Sequence, residues 1–547
     1  MRLIKGLTKA WETLRTNARR PALGAMLAAA ALQAGTALVA PSDALAQGGT
    51  VKVVMHSGLR NLDPVLVNSH ITRNHAYLIY DVLIAQDDHF RPQPQMASWQ
   101  ISADGLTYTF TLRDGLKFHD GAPVTAADAV ASLQRWGSKD TGGKMLFSQT
   151  ASLEAKGDKT VVWTLKRPFP ALPNILSKMS TIPAFIMPAR IARTPASEAI
   201  TQHIGSGPFR FVDAEFQPGV KSVYQKFQDY APRSEAPSWL AGGKVAKVDR
   251  VEWITMPDSL TAINALVAGE IDYIEMPPAD LLPIMANNPA IVVEKRDTIG
   301  YQFIARMNFK IPPFDNVKIR QAALKALGQE ELLKIAIGDP DYYKPCGAIF
   351  GCNSPYASTI GAETLVGGGD PKGAKKLLDE AGYDGKPIVV FKASDIPVLA
   401  APNDAGVQAL RRAGFKVDVK ELDFQTRTIR LTSMKPVAEG GWNMFFSSFH
   451  VVDIDSPVYS NLLDARGDQG YLGWPDDPKL EAMRRDFAEA PTPDARKEVA
   501  ARIQAHVMEN VTYVPLGNWF NPQARSSKLT GMIPGPVTVF WNLQKAR

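Results

Sequence analysis

Two cysteines in 547 residues leave little room for cysteine chemistry. A disulfide-dense scaffold needs several bridges, and a zinc site needs more ligands than Cys346 and Cys352 supply. No Gly-x-Ser-x-Gly elbow and no His-Glu-x-x-His helix occurs, so neither of those hydrolase signatures is present. The run Gly367-Gly368-Gly369 is not followed by Gly-Lys-Ser/Thr and makes no phosphate loop. Gly205-Ser206-Gly207 lacks the third glycine of a dinucleotide fingerprint. The eight histidines are scattered. His70 and His75 stand five apart, a spacing that does not align them on one helix face, so each is expected on the surface or in packing. No catalytic constellation is offered, and no cofactor or metal site is expected.

An excess of one charge is lacking too. Lys and Arg number 61 against 55 Asp and Glu. Six of the bases and two of the acids lie in the first 46 residues, which leaves 55 against 53. A balance that even gives no support to a nucleic-acid partner, which calls for a basic patch or stripe.

A long apolar run is missing as well. Leu23 to Val39 is alanine-rich and broken by Gly24, Gln33, Gly35 and Thr36. A membrane span needs about 20 apolar residues. The order is instead basic (Arg2 to Arg20), apolar, then Ala44-Leu45-Ala46, the pattern of a secretory signal cleaved after about Ala46. Periplasmic export is the expectation. The pair Arg19-Arg20 leaves the route open between general and twin-arginine export. In an oxidising compartment Cys346 and Cys352 are expected to form a bridge; the alternative, a redox pair, lacks the Cys-x-x-Cys spacing.

What is present is an α/β pattern. Tyr108, Phe110 and Leu112 alternate with threonines before the Asp114-Gly115 turn, and Val161 to Leu165 repeats the alternation. Helices are signalled after Thr125, Asp258 and Asp370, with glycines at 137, 269 and 382 as stops, and two more run over 479–490 and 493–510. A chain beyond roughly 250–300 residues divides its core, and strands interleaved with helices predict an α/β protein.

Six motifs then stand in order. The longest runs from Asp104 to Val130 and contains Asp-Gly-Leu-Thr-Tyr-Thr-Phe-Thr-Leu-Arg-Asp-Gly-Leu-Lys-Phe-His-Asp-Gly-Ala-Pro-Val-Thr-Ala-Ala-Asp. The others are Asn61-Leu-Asp-Pro64, Gly205-Ser-Gly-Pro-Phe209, Ala268-Gly-Glu-Ile-Asp272, Pro313 to Ala322 and Asp370 to Tyr383. Together they closely resemble the peptide, oligopeptide and nickel family of ABC-transporter solute-binding proteins (bacterial extracellular solute-binding protein family 5). The C-terminal third matches more loosely. The resemblance implies a two-lobed α/β periplasmic binding protein with a hinge; a monomer is the default expectation. Lobe one would hold residues 47–304 with a subdomain inserted over about 77–199, lobe two 305–514, and residues 515–547 would return to lobe one.

The resemblance also implies a site. In peptide-binding members an aspartate after a Gly-Trp-like segment pairs with the ligand's amino terminus. Here the matching stretch is Trp442 to Pro457, with Asp453 the first choice and Asp455 the second, although Ser448-Phe449 replaces Gly-Trp. Phe449, Trp442, Tyr301, Trp519 and Phe520 are the expected aromatic lining. His450, beside the aspartates, is the residue a metal-chelate cargo would use. The expected function is capture of a small polar ligand, foremost a di- or oligopeptide, and its delivery to an inner-membrane ABC permease. Sugars, opines or metal chelates as cargo, or service to a chemoreceptor, are the alternatives.

Overall fold

The computed structural model describes residues 49–180 and 182–546. The expected export segment and its cleavage point lie outside them. No helix among the described residues is long and apolar enough to cross a membrane.

Two sheets carry the architecture. The first has seven strands, in the order Phe209–Phe211, Lys221–Lys226, Arg250–Ile254, Thr50–Val54, Tyr273–Ile274, Gln523–Ser526, Ile291–Glu294. Thr50–Val54 sits near its middle, parallel to Arg250–Ile254 and to Tyr273–Ile274. Val51 and Val53, both fully buried, pair with Val251 and Trp253, so strands about 200 residues apart in sequence share one core. The second sheet has six strands, in the order Tyr343–Lys344, Val514–Trp519, Tyr301–Met307, Met444–His450, Ile388–Ala393, Val417–Leu422. The chain passes from the first sheet to the second between Glu294 and Tyr301, and back between Trp519 and Gln523. Each sheet with its helices is a lobe.

A four-stranded antiparallel sheet stands beside them, in the order Ala97–Ile101, Thr107–Leu112, Thr160–Leu165, Thr150–Lys156. Its inner face follows from alternation. Tyr108, Phe110 and Leu112 are buried, and Phe110 opposes Val161 while Tyr108 opposes Trp163. Helix Ala126–Gly137 packs on this sheet. Its N-terminus is closed by a capping box, in which Thr125 accepts from the Asp128 amide and the Asp128 side chain accepts from the Thr125 amide. Its last residue is Gly137, where a side chain has no room: a Cβ there would stand 2.2 Å from the Phe147 ring. Asp258 and Asp370 cap Ser259–Val267 and Pro371–Glu380 in the same way, each accepting from the amide three residues on. The pair Gly205 and Gly207 lies flat against helix His70–Ile79; a Cβ on Gly205 would meet the Ile79 carbonyl at 1.8 Å. Cys346 and Cys352 are joined, with Cα atoms 5.9 Å apart.

Candidate functional site

The candidate site lies where the two lobes meet, at the carboxyl ends of the central strands of the seven-stranded sheet. In open α/β sheets that edge is where ligands bind.

Lobe two contributes a row across three strands. Tyr301 is in register with His450 on one side and with Trp519 on the other, so residues far apart in sequence become neighbours. The Tyr301 and Trp519 rings stack at 4.7 Å, and Tyr301 meets the His450 ring edge-on at 4.5 Å. The Trp519 indole N–H donates to the Ser448 hydroxyl at 2.9 Å. His450 is fixed at both ring nitrogens. Nδ1 accepts from the Val452 amide, which leaves Nε2 to donate to Asp297 at 2.8 Å. Asp297 also accepts from the amides of Ile299 and Gly300. Burial by itself would raise its carboxyl; His450 and those amides hold it below the ordinary range.

Immediately after His450, the short helix Val451–Ile454 enters lobe one. Val451 and Val452 are buried in the lobe-one core, which also holds Ile71 and Tyr77. Asp453 is thereby brought to helix His70–Ile79, where His70 Nε2 lies 2.9 Å from its Oδ2. This is an ion-pair-capable contact between lobes. Asp453 is 4% exposed, and its Oδ1 is buried with no hydrogen-bond partner among the described residues. Burial alone would raise this carboxyl, yet His70, with His450 and Arg73 further off, holds it well below the usual carboxylate range. It is a buried anion between the lobes, in contact with His70.

Lobe one supplies the facing groups. Arg73 is buried, donating to Asn74 Oδ1 and Ser180 Oγ, and no carboxylate pairs with it among the described residues. Glu275, at the end of strand Tyr273–Ile274, takes the His56 ring at 2.6 Å, the Asn74 amide and the Thr538 hydroxyl. Burial raises the Glu275 carboxyl and His56 outweighs it, so it falls to about 2. His56, His70, Arg73, Glu275, Asp297 and Tyr301 enclose a polar cavity of about 20 Å³. That is room for about one water. A ligand larger than that needs the lobes to part first.

Not every expected residue is here. Trp442 is a correction: it is fully buried in the lobe-two core, donates to the Leu431 carbonyl and packs on Trp474 and Phe445. Asp455 faces Tyr459, whose hydroxyl donates to it at 2.6 Å. Burial, with Asp453 near and Lys178 opposing, pushes its carboxyl up to about 7. Phe449 is half-buried against Tyr471, and Phe520 carries the Lys295 ammonium over its ring at 4.8 Å; of the expected residues only Tyr301 lines the polar cavity itself, while His450, Trp519 and Asp453 stand behind Tyr301 and His70. His70, Arg73, His56, Glu275 and Asp297 were missed. Of these, His70 had one available signal: it falls at the first position of a helix, where nothing in the sequence shows what faces it. His75 does pack, with its ring 5.0 Å from Phe211. Asp87, Asp88 and His89 could bring ligand atoms within 4.8 Å of one another, but two of the three are exposed and Asp87 is already bonded to Arg91 and Gln93.

Comparison with known proteins bears on this geometry. The model of "Bacterial extracellular solute-binding proteins, family 5 Middle" matches residues 91–471. A curated relative from Sinorhizobium fredii, "Probable peptide ABC transporter periplasmic-binding protein y4tO", is 37% identical over 97% of this chain and 100% of its own length. Among solved structures, AgaA from A. tumefacien R10 in complex with agropinic acid is similar at a TM-score of 0.75 and 22% identity, over 91% of this chain and 99% of that one. DppA from Helicobacter pylori in complex with peptide STSA is similar at 0.73 and 21%, over 91% and 98%. Identities that low establish the two-lobed binding-protein fold and nothing about cargo.

Proposed function

This chain belongs to the bacterial extracellular solute-binding proteins of family 5, and on that premise we propose that it captures a short peptide between its lobes and delivers it to an ABC permease. One observation carries the peptide reading. Asp453 is a buried anion at the lobe interface with one oxygen satisfied by His70 and the other unsatisfied. A buried charge without a full set of partners is costly, and the ammonium of a free amino terminus supplies the missing donor. Arg73, a buried cation with which no carboxylate pairs among the described residues, is the matching partner for a peptide carboxylate. The name of the Sinorhizobium relative supports the same cargo class.

The two crossings, at 294–301 and 519–523, are the hinge in this reading, and residues 50–294 with 523–546, and 301–519, are the bodies it moves. Ligand favours the closed form because Asp453 and Arg73 stand on different lobes and one peptide touches both. The cargo leaves unchanged, the protein works as a monomer in the periplasm, and the export segment is removed after about Ala46.

The test is a thermal-shift screen with dipeptides, tripeptides, sugars, opines and nickel chelates. Ligand at about 100 times its Kd adds about 2.7 kcal/mol of stability. Stabilisation by free-amine peptides supports the proposal. Stabilisation by opines, sugars or chelates with none by peptides overturns it.

A further inference from the structure

A second pocket opens beside the polar cavity, and its chemistry is different. Three adjacent parallel strands, Arg250–Ile254, Thr50–Val54 and Tyr273–Ile274, each place a methionine just beyond the carboxyl end: Met256, Met55 and Met276. These three line a pocket of about 190 Å³, backed by Ala262 and Ile263 of helix Ser259–Val267. Pro257, Pro277 and Pro278 form part of its rim. The wall holds no Lys, Arg, Asp or Glu; its polar members are His56, Ser57, Thr255 and Ser259. An engineered apolar cavity of about 150 Å³ is large enough to take benzene, so this one takes a branched or aromatic side chain.

Its position says what would fill it. His56 and Met276 line both this pocket and the polar cavity. Glu275 and Met276 are successive residues, one bonded within the charged cluster and the next in the apolar wall. The charged side is lined by His70, whose ring contacts Asp453, and by Arg73, with which no carboxylate pairs among the described residues. A ligand seated there by its charged groups therefore lies against the mouth of the methionine pocket. Methionine is unbranched and adapts its shape, so the wall fits several apolar side chains.

We propose that this pocket, adjoining the charged cavity through His56 and Met276, receives an apolar side chain of the cargo, so that the protein selects peptides carrying leucine, methionine or phenylalanine. The proposal rests on the peptide reading given above and adds the side-chain class to it.

The experiment is calorimetric titration of the full mature chain with glycyl-glycine, leucyl-leucine, phenylalanyl-leucine and aspartyl-aspartate. Leucyl-leucine is expected to bind at least about tenfold more tightly than glycyl-glycine, as burial of a leucine side chain implies. Ala262→Phe fills the pocket and is expected to remove at least about fivefold of that preference. Met256→Gln, at the half-buried rim, is the second variant should the first fail to fold, and it is expected to shrink the same ratio. Equal affinity for all four dipeptides overturns the side-chain assignment and leaves peptide capture standing. A preference that survives both variants places the side chain elsewhere and also overturns it. Binding of none of the four, with an opine or sugar bound instead, overturns the peptide reading itself.

Discussion

Replacing Asp453 with asparagine keeps the shape of the side chain and removes its charge. In the structure Oδ2 meets His70 at 2.9 Å and Oδ1 has no partner, so a ligand ammonium would bond a buried carboxylate with a free lone pair. Hydrogen bonds to charged groups contribute about 1.5–3 kcal/mol. Asp453→Asn is therefore expected to weaken free-amine dipeptides by about 10- to 150-fold. The loss of the His70 contact costs less, because the His70 side chain is 24% exposed and solvent screens it. A cycle isolates the ammonium. An N-acetylated dipeptide should bind poorly to the natural protein, and Asp453→Asn should weaken it little further. Titration calorimetry with the two peptides and two proteins gives all four affinities. If the variant binds the free-amine peptide within twofold of the natural protein, or loses the acetylated peptide to the same degree, Asp453 does not hold the amine.

Three further outcomes follow from other parts of the molecule. Asp455 has its carboxyl raised to about 7 by burial, with Asp453 adding and Lys178 and Tyr459 opposing. The unfolded carboxyl titrates near 4, so the folded state holds a proton the unfolded one has lost, and the stability this group contributes is full below about pH 4 and lost as pH rises through about 7. Thermal melts across that window should therefore fall more steeply for the natural protein than for Asp455→Asn; parallel curves would refute it. Reducing the Cys346–Cys352 bridge, or Cys346→Ser with Cys352→Ser, should lower stability by about 2 kcal/mol for so short a loop, read from urea midpoints, while peptide affinity stays within twofold. Gly205→Ala forces a methyl onto the Ile79 carbonyl and should cost about 1–3 kcal/mol of overpacking, seen as a lower urea midpoint; an unchanged midpoint would mean the segment yields freely.

Much of the local structure was legible. Thr125 and Asp128, Asp258 and Asp370 all close helix ends as their spacing predicts, because a capping bond spans only three residues. The alternation over Thr107–Leu112 and Thr160–Leu165 does set one face of a sheet inward. Glycine was harder. Gly137, at the end of its helix, leaves room for the Phe147 ring, and Gly205, in a loop, leaves room for the Ile79 carbonyl, and neither neighbour lies close enough in sequence for a turn rule to find it.

The candidate site divides the same way. Asp453 and His450 follow from the resemblance over Trp442 to Pro457, and Tyr301 and Trp519 are aromatics near the expected hinge or cleft segments; the structure places all four near the lobe junction. Trp442 carried the same marks, and only its seating between Leu431, Phe445 and Trp474 separates it from the cleft. By itself the sequence determined the α/β class, the caps, the family motifs and the aspartate beside the histidine, because each rests on residues a few positions apart. Tertiary structure alone decided that His70 meets Asp453 across 383 residues, that Arg73 is buried beside Asn74 and Ser180 with no carboxylate pairing it among the described residues, and that Met55, Met256 and Met276 share one wall. Those placements depend on how strands from distant parts of the chain are ordered in a sheet, and hydrophobic periodicity fixes which face of a strand is buried without fixing which strand lies beside it.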